Sequence, residues 1–325
     1  MKDNRKIIGL AGWLGVGLIF VGLTFLISYG SSFFFQRSVL LEAAAVDVAP
    51  PPAAPKADGR PELRVIIASR YSPSAGAVYY NDLLKYLGER LERRITLLTR
   101  SSYAEAMKLI EEGGADIGFI CSGSYVLLRE KVPVEVIAAP EMYGRAEYRS
   151  YIIVPADSSA ASLEDLRGKS FAFTDPLSFS GAFYPSQRAL QLGDSPEKFW
   201  SKVLYTHSAD KSISAVAYGL VDGAAVDGLI WDNLSAANPD IIARTKVIER
   251  SPWFGIPPIV AGPGQDPALV AGIRKVFLGM RDDPQGAVIL DGMRIDRFNV
   301  PPADWYDGLA SVVSLLRDKG LKITF

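Results

Sequence analysis

From residue 62 onward the chain switches repeatedly between a two-residue and a four-residue apolar period. A short apolar run over 63–68 ends in a polar Ser/Arg/Tyr turn, which predicts a buried strand. Tyr79, Leu83, Leu87 and Leu91 then recur at every fourth position and give one apolar helical face. A strand over 95–99, a helix over 103–112, a strand over 116–120, a helix from Ser124 and a strand over 134–139 continue the alternation. The βαβαβαβ order predicts a mostly parallel sheet with helical crossovers. A second series begins near Tyr148: the run YIIV, a helix start at Ser162 to Asp165, a strand over 170–174, a helix after Gly181, a strand over 202–206, a helix over 212–218 and a strand over 224–226. Apolar runs around Val247 and Ile259 lead into helices over 267–280 and 305–317, the latter with Leu309, Val312 and Leu316 on one face. These last helices are expected to pack on the first lobe. The predicted class is α/β with two lobes, 62–147 together with 255–325 forming lobe 1 and 148–254 forming lobe 2.

Upstream the pattern changes character. No charged residue occurs over 7–36, and the stretch 7–29 would reach about 34 Å as a helix at ~1.5 Å per residue, enough to cross a bilayer. Lys2, Arg5 and Lys6 precede it, which keeps the N-terminus cytoplasmic by the positive-inside rule and exports the rest. A cleaved signal peptide is the alternative, but its apolar region ordinarily covers about 7 to 15 residues. The favoured organisation is therefore a cytoplasmic tip and membrane anchor over 1–36, followed over 37–61 by an Ala/Pro-rich tether that acts as a semi-rigid spacer.

Composition removes several function classes. Lys plus Arg total 35 against 36 Asp plus Glu, a net charge of -1, so the chain has no basic field for nucleic acid phosphates and no nucleic-acid partner is expected. A single Cys, Cys121, and a single His, His207, cannot build a disulfide framework or a Cys/His metal cluster. The sequence contains no P-loop, dinucleotide GxGxxG or GxSxG elbow, so neither a cofactor nor an enzymatic activity is expected, although Ser180 with His207 leaves a small hydrolase as a remote reading.

The segment FAFTDPLSFSGAFYP over 171–185 carries the strongest chemical signal. A strand, a Ser/Gly turn and a helix in succession make an anion cradle: Ser178 and Ser180 donate hydroxyls, while the amides of Phe179, Ser180 and Gly181 point along the positive end of the helix dipole. The structural alternative makes Ser180 only an N-cap. His207 follows a strand, at the carboxyl edge where open α/β sheets place ligands; its alternative is a hydrogen-bonded buried imidazole. Tyr103, Tyr148 and Tyr71 sit at turns or helix starts beside strand ends, where a phenol either bonds an oxyanion or simply packs. Ser122 lies in the Cys121-Ser-Gly-Ser124 turn between a strand and a helix. Asp227 ends the stretch VDGAAVD, either accepting a proton-bearing ligand oxygen or capping the helix of Trp231.

Taken together, SYAEAMKLI (102–110), ADIGFICSG (115–123), YRSYIIV (148–154), LEDLRGKSFAFTDPLSFSG (163–181), the His207 loop, AVAYGLVDGAAVD (215–227) and SPWFGIPPIV (251–260) resemble the phosphate/phosphite/phosphonate-binding component of ABC transporters. The resemblance runs in order from about Leu63 to about Phe298. It implies a type II periplasmic-binding-protein fold whose two lobes close on a phosphoryl group, with the Ser178–Gly181 turn, His207, Tyr103 and Tyr148 as the grip. Branches that take aminoalkylphosphonates add carboxylates for the ammonium; the corresponding positions here carry Leu229 and Pro257, which argues against such a ligand. The implied function is non-enzymatic capture of a phosphonate, phosphite or phosphate for an ABC permease, on the periplasmic or extracellular face of the membrane. The alternative is an anchored oxyanion-sensing domain that works with a signalling partner.

Overall fold

The computed structural model describes residues 59–68 and 73–325. The expected anchor over 7–29, most of the tether and Tyr71 lie outside the described residues. Among the described residues no helix is long and apolar enough to cross a membrane.

The chain runs β1 (Glu62–Ile67), α1 (Pro73–Arg90), β2 (Arg94–Leu98), α2 (Tyr103–Glu111), β3 (Ile117–Phe119), α3 (Ser122–Lys131) and β4 (Glu135–Glu141), and crosses to the second lobe through β5 (Glu147–Tyr148). There it forms β6 (Ser150–Pro155), β7 (Ser170–Phe173), a π-helical turn (Phe179–Phe183) continuing into α4 (Tyr184–Gln191), α5 (Pro196–Phe199), β8 (Lys202–Tyr205), α6 (Ala209–Ala217), β9 (Gly223–Asp227), α7 (Gly228–Ala237), α8 (Pro239–Ile242) and β10 (Thr245–Arg250). It returns through β11 (Phe254–Gly255) and ends with β12 (Ile259–Ala261), α9 (Pro267–Gly279), α10 (Pro284–Met293), β13 (Arg297–Asn299) and α11 (Asp307–Asp318).

The first sheet has the order β13-β4-β12-β3-β1-β2 and the second β10-β6-β9-β7-β8. β1 lies between parallel partners β2 and β3. Leu63, Val65 and Ile66 are fully buried there, as expected of a central strand covered on both faces. Each sheet is mixed: β12 inserts antiparallel between β3 and β4, the edge strand β13 also runs antiparallel to β4, and β6 inserts antiparallel between β9 and β10. This modifies the expected run of successive parallel strands, because the strand next to a crossing occupies the slot beside β3 or β9. The crossings themselves pair, Phe254 opposite Tyr148 and Gly255 opposite Glu147, as a two-residue antiparallel ribbon.

Two expectations need correction. The start at Ser162 to Asp165 gives only a single 3-10 turn, Glu164–Leu166. Asp165 binds backward to the amides of Ala161 and Ser162, and Gly168 at φ +72° turns the chain out of the helix. The terminal helices also do not all stay with lobe 1: α9 packs on β4, but α11 contacts α3 of lobe 1 and both α4 and the π-turn of lobe 2. Its Leu309, Val312 and Leu316 are buried as one face, so this helix joins the lobes by apolar burial.

Candidate functional site

The Ser/Gly turn follows the end of β7. Ser178 caps it: its Oγ accepts the Gly181 amide at 3.0 Å, and its carbonyl accepts the amides of both Ala182 and Phe183, each at 3.0 Å. The second of these bonds is the wide i to i+5 step of a π-turn, a form concentrated at functional sites. Gly181 is a steric necessity, since a Cβ there would lie 2.4 Å from Thr174 Oγ1. The cap is therefore Ser178 and not Ser180. The expected fan of amides is corrected as well: Gly181 donates to Ser178, and Phe179 donates to Cys121 Sγ at 3.5 Å. That engages two of the three expected amides, those of Phe179 and Gly181, and the serine hydroxyls add donors of their own, because a serine oxygen that accepts a hydrogen bond still has its own proton to donate.

Ser180 is buried, and its carbonyl accepts from Ser150 Oγ at 2.6 Å. The Tyr148 and Ser122 hydroxyls lie 2.8 Å apart. Burial pushes the Tyr148 phenol well above its usual range, the charges of Cys121 and Asp227 push the same way, and hydrogen bonds with Ser122 and Ser180 oppose them. Tyr148 thus stays a neutral donor between a lobe 1 serine and a lobe 2 serine. Burial also raises the Cys121 thiol, against the amides of Phe179 and Gly123, so the sulfur is an acceptor at the start of α3 and not a ready thiolate.

Asp175, the first residue of the Asp-Pro step, joins the remaining candidates. Its Oδ2 accepts the backbone amide of Tyr103 at 3.2 Å, across from lobe 1, and its Oδ1 accepts the amide of Leu177 at 2.9 Å. His207 Nδ1 lies 3.6 Å from the same Oδ2, with the imidazole half exposed. His207 has φ +61°, and its amide donates to the Thr174 carbonyl at 2.6 Å. A left-handed non-glycine held this way marks a position whose backbone is fixed by its surroundings. Asp227 is buried and caps α7 through Leu229 N at 2.9 Å. Its charge still reaches Tyr148.

Ser178, Phe179, Ser180, Gly181, Tyr148, Ser122, Tyr103 and His207 therefore belong to one connected polar region where the lobes meet. Sequence reasoning missed Asp175, whose Asp-Pro signal reads as a turn, and Cys121, Ser150 and Gly123 as parts of the contact. A Cβ on Gly123 would sit 3.0 Å from both Leu177 O and Phe179 N, which measures how closely α3 approaches the π-turn. The buried hydroxyls of Ser124, in the first turn of α3, and Ser208, beside His207, have no hydrogen-bond partner among the described residues. A separate apolar pocket in lobe 1, lined by Ile67, Phe119, Ile120, Pro257, Pro258 and Phe298 among others, contains none of these polar groups.

Two α/β lobes joined by a paired crossing, with polar side chains gathered between them, define a two-lobe periplasmic binding protein. Residues 65–306 match the family described as ABC transporter, phosphonate, periplasmic substrate-binding protein, and the chain belongs to this family. Its fold is similar to that of the binding protein component of an ABC phosphonate transporter from Pseudomonas aeruginosa, at 20% identity and TM-score 0.75 over 79% of this chain and 87% of that one. It is also similar to PhnD1 from Prochlorococcus marinus in complex with methylphosphonate, at 20% identity and TM-score 0.71 over 79% and 98% of the two chains. A Xanthomonas citri protein bound to ATP follows at 21% identity and TM-score 0.65 over 80% and 99%.

Proposed function

We propose that this chain captures a phosphorus oxyanion, a phosphonate foremost and phosphite or phosphate as smaller relatives, between its lobes and delivers it to an ABC permease. In this reading the segment 7–29 tethers it to the outer face of the cytoplasmic membrane. The observation that carries the proposal is the meeting of the Ser178–Ser180 turn with the Ser122–Tyr148 pair and the Tyr103–Asp175–His207 cluster at the lobe contact. Family membership favours transport over the sensing alternative.

The grip is made of hydroxyls and an imidazole: Ser178, Ser180, Ser122, Tyr103, Tyr148 and His207. Neutral donors suit a carrier, because release does not require breaking a fully paired buried charge. Asp227 supplies the acceptor. A phosphonate or phosphate that still bears a proton on oxygen donates to it, whereas sulfate has no such proton and sets two negative groups together. Leu229, which Asp227 caps, is apolar and buried, and with Pro257 it offers nothing for an ammonium group.

Calorimetry with methylphosphonate, phosphite, phosphate, aminoethylphosphonate, ATP and sulfate tests the reading. Methylphosphonate is expected to bind, aminoethylphosphonate to gain nothing over it, and sulfate to bind more than a hundredfold less tightly near pH 7.5, with Asp227→Asn narrowing that gap. Ser180→Ala and His207→Ala are each expected to weaken binding by roughly ten- to a hundredfold, the equivalent of about 1.5 to 3 kcal/mol for a hydrogen bond to a charged group. Sulfate within tenfold of the best phosphorus ligand removes the acceptor role of Asp227, and no binding by any phosphorus compound sinks the proposal.

A further inference from the structure

We infer that Asp175 is a positioning residue that sets donors from both lobes at once and latches the lobes together. Its ligand arm rests on the oxyanion reading above; its closure arm does not. The carboxylate is only 1% exposed. Among the described residues its partners are the amide of Leu177, the amide of Tyr103 and the imidazole of His207, none of them a permanent cation. A buried carboxylate is costly unless its oxygens are paired. Leu177 belongs to its own loop and satisfies Oδ1 in any arrangement of the lobes. Tyr103 begins α2 in the other lobe, so its amide reaches Oδ2 only when the lobes meet. Opening the cleft removes that donor from Oδ2, so the bond belongs to the closed form alone and favours it.

The same oxygen faces His207. An acceptor at Nδ1 selects the imidazole form that carries its proton there and leaves Nε2 on the far side of the ring. The separation of 3.6 Å is one that a small ring rotation converts into a hydrogen bond. The ring is aimed by its backbone: the left-handed φ of +61° and the 2.6 Å bond from its amide to Thr174 O fix where the side chain leaves the chain. Asp175 itself is unsuited to touching an oxyanion, since both are negative and its two oxygens are turned to N–H groups. It acts through Tyr103 and His207.

The test uses the full chain and Asp175→Asn, which keeps the side-chain volume and one acceptor oxygen but removes the charge; Asp175→Ala is the harsher second variant. With cysteines introduced at the exposed positions Lys108 in α2 and Lys198 in α5, while Cys121 stays buried, spin-label distances report closure without any ligand. Asp175→Asn is expected to add a population at longer distance. An unchanged distribution overturns the latch. In the second arm, His207→Ala is expected to weaken methylphosphonate binding by about tenfold or more in the parent, but by less than about threefold in the Asp175→Asn background, because the imidazole has already lost its aim. Fully additive losses overturn the positioning role, since a merely structural effect of Asp175 lowers the melting temperature without coupling to His207. If methylphosphonate and phosphate fail to bind the parent, the oxyanion reading fails, and the distance measurement still decides the latch.

Discussion

Single residues decide which donors the turn after β7 can offer. The sequence supplies Ser178, Ser180 and Gly181 in the right order, but it does not say which amides are already used. That depends on Cys121 Sγ arriving from lobe 1 and on Ser178 folding back over Gly181. Gly181 is the most demanding position, because Thr174 Oγ1, itself bonded to the Ala225 carbonyl at 3.2 Å, stands 2.4 Å from where a Cβ would go. Thr174 directly follows β7, and its Cβ is as close as its Oγ1, so it cannot move aside as the tip of a flexible side chain does. Gly181→Ala is therefore expected to destabilise lobe 2 by about 1 to 3 kcal/mol through overpacking. Urea unfolding measures it, and a midpoint unchanged from the parent shows that Thr174 yields more easily than its bonding implies.

At the level of elements, the alternation of apolar periods was the legible part. Buried central strands such as β1 and amphipathic helices such as α2 and α11 carry their periodicity within a dozen residues. The illegible parts have physical reasons. β5 and β11 are two residues each, too short for any pattern. The antiparallel placement of β12 and β6 follows from the crossings and not from local propensity. The π-turn depends on a steric fit to Thr174, and α10 begins at an Asp283-Pro284 cap that reads equally well as a turn. The approach of α3 to the π-turn was equally hidden, yet it yields a prediction. Gly123→Ala places a methyl 3.0 Å from Leu177 O and Phe179 N, atoms of the opposite lobe. The helix itself favours alanine over glycine. The variant is expected to keep or raise thermal stability while weakening methylphosphonate binding at least tenfold, because the lobes no longer approach. Calorimetry beside a thermal melt checks it; affinity and stability falling in proportion point instead to damage within α3.

The whole molecule couples its folding to pH through groups that the two sheets and their loops hold in fixed surroundings. On the acid side, Asp222 is held below its usual range by the hydroxyl and amide of Ser170, Asp165 by the amide of Ala161 and by Ser162, and Asp283 by the amides at the start of α10. Groups with depressed values in the folded state stabilise it above their ordinary values and lose that contribution as pH falls through the lowered ones. Asp232 works the other way, since burial raises it, so protonation there returns some stability. The alkaline side is more diagnostic. Burial raises the phenols of Tyr148, Tyr184 and Tyr306 above the usual value near 10. A raised folded value means that the unfolded chain ionises first, so the stabilisation is complete below that ordinary value and declines as pH climbs past it. Tyr148, Tyr184 and Tyr306 are expected to ionise only in a late cooperative step that coincides with loss of the circular-dichroism signal. Recording phenolate absorbance and circular dichroism in one titration decides the matter. If all 14 tyrosines ionise while the fold persists, the Ser122–Tyr148 contact is open to solvent, and Tyr148 is not the sheltered neutral donor that the proposed oxyanion grip requires.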